Sequence, residues 1–254
     1  PVEHDDINEF LDIGTEGNPI QNLQYGVTIT DDWMKSMISG AKRKREVWAK
    51  IIQRRSEFGF PYIMFKDNTN NNSPYKELGL DITASNLCSE IQLPTDSYNS
   101  FVCCLGSINL LHWDEIRNTD AVEIYTYFLN AVMDEFISKS AVLPGLARAN
   151  RFAEQHRAIG IGVMGYHSLI QSKLLEFESL QSKALNNEIF KTIKERSEDA
   201  SKWLHDYKGY NSLREGYANT TLMAIAPTKS SSFIHGAVSM GIEPIKSNYF
   251  ISWI

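Results

Sequence analysis

Cysteine is scarce in this 254-residue chain: Cys88, Cys103 and Cys104 are the only three. That is too few for a disulfide framework. A reducing compartment, where thiols persist for chemistry, suits the chain better, so a cytoplasmic location is expected. There is no C-x-x-C pair and no histidine at ligand spacing, so no metal site is expected. No apolar run approaches the ~18 residues that span a bilayer, and the first six residues lack a charged-then-apolar leader pattern. No membrane association is therefore expected. Excess positive charge is missing too. At a net charge of −6, nucleic acid is not expected as a partner. The one basic run, Lys42–Arg45, falls in a helical pattern and reads as a solvated face. H-E-x-x-H, a Ser-His-Asp order and the G-x-x-x-x-G-K-S/T frame are all absent. What remains is 43% hydrophobic and 22% charged, ordinary for a globular protein with a real core.

Short strands alternating with helices predict an α/β architecture in one domain, residues 1–254. Residues 31–57 read as one helix capped by Thr30 or Asp31 and stopped by Gly59. Pro61–Phe65 reads as a strand, and 67–74 as a polar loop. Residues 82–111 read as extended segments around a turn at 94–100. Residues 119–139 read as a helix burying Ile124, Phe128, Val132 and Phe136. Further helices are predicted at 163–172 and 179–207, with a strand at Thr220–Ala226. His156 and His167 read as structural or surface residues.

Three stretches carry chemistry. In Asn86-Leu-Cys88-Ser-Glu90, extended backbone would turn the amide, thiol and carboxylate of alternate residues to one side. Cys103 and Cys104 are adjacent, so a strand points them opposite ways, one to the core and one to a site. Pro227-Thr-Lys-Ser-Ser-Ser232 follows an apolar strand. Its hydroxyls, backbone N–H groups and Lys229 suit an anion. A fourth stretch, Gly160-Ile-Gly-Val-Met-Gly165, is a literal G-x-G-x-x-G. It has only Ala158-Ile159 as strand before it and acidic residues too early after it for a dinucleotide fingerprint. Its glycines read as close packing at a strand-to-helix junction.

In this order, Asn86–Ile91, Cys103–Leu110, Arg157–Gly165, Ala226–Ser232 and Gly241–Pro244 resemble the catalytic large (alpha) subunit of class I ribonucleotide reductase, as do Pro19–Leu23. The resemblance implies part of a ten-stranded α/β barrel whose finger loop carries the radical cysteine. Cys88 matches that cysteine, which as a thiyl radical takes the 3′ hydrogen of a ribonucleotide. Glu90 matches the base for the 3′ hydroxyl, and Asn86 the amide that holds the sugar. Cys103 matches one of the two reducing cysteines. Thr228, Lys229, Ser230 and Ser231 match the loop for the substrate diphosphate.

The implied reaction is reduction of ribonucleoside diphosphates to deoxyribonucleoside diphosphates. The implied partners are a radical-generating, metal-containing small (beta) subunit and thioredoxin or glutaredoxin as reductant, with no cofactor bound by this chain. The second reducing cysteine, the allosteric regions, the tyrosine pair and the C-terminal cysteine pair of the family have no counterpart here. The expectation is therefore a partial chain, inactive by itself, that self-associates or needs companion pieces. Two other readings are an NAD(P)-dependent oxidoreductase using Gly160–Gly165 and a non-catalytic remnant.

Overall fold

The computed structural model describes residues 1–247 and divides the chain into two compact units, Pro1–Asp96 and Ser97 onward. In the first unit, α1 (Ile7–Phe10) precedes β1 (Gly26–Ile29), α2 (Asp31–Ile38) and α3 (Lys42–Phe58). β2 (Tyr62–Phe65), α4 (Lys66–Asn71) and a 3₁₀ turn at Pro74–Lys76 follow. β1 and β2 run parallel with Val27 opposite Ile63. The parallel crossover requires covering helices. Trp33, Met37, Val47 and Ile51 of α2 and α3 accordingly form one cluster with Val27 and Ile29.

The single helix expected over 31–57 is two. Gly40, at φ +111°, breaks it. The Arg45 guanidinium closes the break by donating to the carbonyls of Met37 (3.1 Å) and Ile38 (2.9 Å) in the last turn of α2, where helix carbonyls run short of partners. The expected cap is present: Thr30 Oγ1 accepts from Trp33 N–H. The loop expected at 67–74 is helical to Asn71. Asn70 explains the difference, because its amide donates to Ile82 O and its Oδ1 accepts from Ile82 N–H. That tertiary tie is invisible to local propensity.

The second unit contains β3 (Cys104–Asn109), α5 (Trp113–Ile116), α6 (Ala121–Ser140) and α7 (Ala147–His156). It continues with β4 (Ile159–Met164), α8 (Tyr166–Ser172), α9 (Leu180–Lys208) and α10 (Lys229–Ile234). β3 and β4 are parallel, with Cys104 opposite Ile159. Residues 221–224 extend along the other edge of β4, where Ile161 N–H donates to Leu222 O and Ala224 N–H to Ile161 O. Thr220–Ala226 thus pairs as expected, through an isolated bridge at Ile161–Met223 rather than a full strand.

Ile159, Ile161, Val163 and Leu129 belong to one core cluster together with Ile189 and Ile193 of α9. The stripe on α6 is a correction. Val122, Leu129 and Met133 are its buried apolar residues, whereas Ile124 and Phe128 are more than half exposed, Val132 is exposed too and Phe136 is only half-buried. Apolar residues four apart occupy two sides of this helix, and the core takes the other one. The glycine segment is the strand-to-helix junction expected: Ile159–Met164 is a wholly buried strand, and Gly165, at φ +79°, is the N-cap of α8. No helix among the described residues is long and apolar enough to cross a membrane.

Candidate active site

In the first unit, the Asn86–Glu90 segment is a tight turn, not an extended strand. Asn86 N–H donates to Ile91 O (3.1 Å), and Asn86 Oδ1 accepts from Ile91 N–H (3.0 Å). Inside that clasp Ser89 N–H donates to Asn86 O, and Ser89 takes the left-handed φ of +67°. Alternation therefore does not set the directions of these side chains. The asparagine's own side chain creates the turn, as Asx residues do locally. Cys88 is exposed at the tip. Glu90 is partly covered, and its Oε2 is buried with no hydrogen-bond partner among the described residues. Residues Ala84–Leu87 and Ser89 also wall a cavity of about 200 Å³ against Gly26, Thr28, Tyr62 and Met64.

In the second unit, Leu105, Ser107, Thr228 and Ser231 lie on one side of the β3–β4 pair. The register places Leu105 opposite Gly160 and Ser107 opposite Gly162. By alternation Cys103, one residue before β3, continues on that same face. Cys104 turns the other way and packs against the core cluster. Burial pushes its thiol pKa up, opposed by the nearby Arg157 charge. The glycines of β4 are there for packing. A Cβ at Gly160 would come within 2.5 Å of the Leu105 side chain and 2.8 Å of Ala224 Cβ, and one at Gly162 would strike the Ala224 carbonyl. They bring the 221–226 segment close and leave no phosphate cradle, which removes the basis of the nicotinamide reading.

That face borders a cavity of about 330 Å³ lined by Leu105, Ser107, Met164, Thr228, Ser231 and His235, among others. Thr228 is buried, and its Oγ1 accepts from Gly241 N–H at 3.0 Å, tying the hydroxyl loop to the Gly241–Pro244 stretch. Lys229, Ser230 and Ser231 form the exposed first turn of α10. Cys88, Asn86 and Glu90 thus lie together in the first unit, and Cys103 with Thr228–Ser231 in the second. Among the described residues no cluster of three or more His, Cys, Asp or Glu side chains is placed to hold a metal. Ser107, inside the Cys103–Leu110 stretch, and His235, just past Ser232, line this cavity without having been singled out in the sequence.

The family model described as "Ribonucleotide reductase, barrel domain" matches residues 39–212. This chain belongs to the ribonucleotide reductases. The large subunit of ribonucleoside-diphosphate reductase from invertebrate iridescent virus 3 is 40% identical over 81% of this chain and 33% of its own length. The corresponding frog virus 3 protein is 34% identical over 96% of this chain and 47% of its own. Among solved structures, the class Id ribonucleotide reductase alpha subunit of Actinobacillus ureae is 52% identical with a TM-score of 0.92. That match covers 98% of this chain and 48% of that one. The fold is accordingly part of the reductase α/β barrel, and the chain spans about half or less of the length of these relatives.

Proposed function

We propose that this chain takes part in the reduction of ribonucleoside diphosphates to deoxyribonucleoside diphosphates. Cys88, as a thiyl, takes the 3′ hydrogen: an S–H bond forms as the C3′–H bond breaks. Glu90 accepts the 3′ hydroxyl proton, and Asn86 holds the sugar. The 2′ hydroxyl leaves as water with a proton from the thiol pair, and a second hydrogen from that pair ends on C2′. Cys88 returns its hydrogen to C3′ and is again a thiyl, and Glu90 gives the proton back to the 3′ oxygen. Cys103, with a second thiol, supplies the two electrons and ends as a disulfide, which thioredoxin or glutaredoxin reduces. Thr228, Lys229, Ser230 and Ser231 hold the diphosphate. A metal-containing small subunit supplies the radical.

The observation that carries this reading is the buried, unpartnered Glu90 Oε2, two residues from the exposed Cys88 thiol. A carboxylate oxygen kept from water without a donor is costly unless a bound group satisfies it. A base must also lie within hydrogen-bond reach of its proton. The test is deoxynucleotide formation by the reconstituted holoenzyme. Cys88→Ser is expected to abolish it, and Glu90→Gln to lower kcat by about 10²–10⁴-fold, the usual weight of general base catalysis. Full activity of Cys88→Ser overturns the reading.

Self-association, or docking of companion pieces of an alpha chain in the cytoplasm, belongs to the same proposal. Its support is the exposed apolar row Ile124, Phe128 and Val132 on α6. Light scattering showing a clean monomer at all concentrations contradicts self-association.

A further inference from the structure

Arg157 is an unusual residue to find where it is. It ends α7 in the left-handed conformation, φ +43°, a position where glycine is the usual choice. It is 7% exposed, and a buried guanidinium is tolerated only when its donors are satisfied. Here they are. Nε and Nη2 donate to Asn130 Oδ1 (3.2 and 3.0 Å), and Nη2 also to Asp134 Oδ1 (2.6 Å). The guanidinium lies 4.4 Å from the centre of the Tyr210 ring, whose hydroxyl donates to the other Asp134 oxygen (2.6 Å). The Asn219 amide donates to Arg157 O (2.9 Å) and to Asn130 Oδ1 (3.1 Å). Side chain and backbone of one residue are thus clamped from α6, from the segment after α9 and from the approach to residue 220.

The strands begin at this clamp. Cys104 N–H donates to Ala158 O (3.3 Å), the residue after Arg157. Thr220 N–H donates to His156 O (3.0 Å), the residue before it, and Ile159 N–H donates to Thr221 O (3.2 Å). The carbonyls on either side of Arg157 therefore set where the Cys103–Cys104 strand and the strand leading to Thr228 start relative to β4. A one-residue slip in either would carry its side chains to the opposite face.

We propose that Arg157 is a positioning residue that fixes the register of these strands and so holds the Cys103 thiol in place. The consequence for catalysis rests on the reading of Cys103 as a reducing thiol, but the register itself is testable without turnover. The experiment measures N-ethylmaleimide labelling rates of the three cysteines of the purified chain, resolved by peptide mass spectrometry. Arg157→Ala and Arg157→Lys are each expected to speed Cys103 labelling at least about five-fold, with Cys88 within about two-fold of wild type. Lysine keeps the charge but lacks the fork that reaches Asn130 and Asp134 together. Methylguanidinium is expected to slow Cys103 again in Arg157→Ala and not in Arg157→Lys. Should the alanine variant not fold, Arg157→Lys and Tyr210→Phe carry the same comparison, with a smaller rise for the latter. An unchanged Cys103 rate, or Cys88 and Cys103 rising together, overturns the proposal. Holoenzyme turnover by Cys103→Ser would instead overturn the reading of Cys103 and leave the labelling result standing.

Discussion

At Gly162 a methyl group has no place to go, because the Ala224 carbonyl oxygen occupies the direction in which Cβ would point. Backbone cannot yield as a flexible side-chain tip can, so Gly162→Ala is expected to lower the unfolding free energy by about 1–3 kcal/mol, the usual cost of overpacking. Gly145, with nothing within 4 Å of its added Cβ, is the control. Gly145→Ala should stay within about 0.5 kcal/mol of wild type, as surface changes do. Urea titration of the two variants checks both. At the same scale, Asp12 is held below its ordinary carboxyl pKa by hydrogen bonding to Lys50 and then to Arg54, although burial works the other way. A depressed folded pKa contributes stability above the unfolded value of about 3.8 and loses it as pH falls through the folded value. Asp12→Asn should therefore be the less stable protein at pH 7, by no more than about 1 kcal/mol for so exposed a group. The gap should close below about pH 3.8 in urea titrations run against pH.

Helix α6 tests the distinction between apolar and buried. Leu129 and Phe128 are neighbours in sequence, yet one is 3% and the other 58% exposed. Leu129→Ala is expected to cost about 2–5 kcal/mol as a core truncation. Phe128→Ser should cost under about 1 kcal/mol and reduce any self-association seen by light scattering. At the start of α2, Thr30→Ala removes the acceptor for Trp33 N–H. The expected loss is about 0.5–2 kcal/mol by thermal or chemical unfolding.

Over the whole molecule, sequence patterns located what local chemistry decides. Thr30 and Gly59 bound their helices as residue types predict, and the strand expected at Pro61–Phe65 forms over Tyr62–Phe65 because β-branched and aromatic residues favour it. Readings failed where distant groups decide. Asn70 makes a helix of a polar stretch by binding Ile82. The core selects one of two apolar sides of α6, and Asn86 folds the Cys88 segment into a turn through Ile91. The site residues were legible as types in order. The clamp at Arg157 was not, since it joins residues from 130 to 219 that no spacing rule connects.

The parallel register of β3 and β4 also bears on how this protein is made. Fifty-five residues separate Cys104 from its partner Ile159. At synthesis rates of about 5–20 residues per second, β3 leaves the ribosome roughly 3–11 seconds before the strand it pairs with. During that interval a nascent edge and two adjacent thiols are open to neighbouring chains and to oxidants. Translation speed across α6 and α7 thus sets how long that exposure lasts.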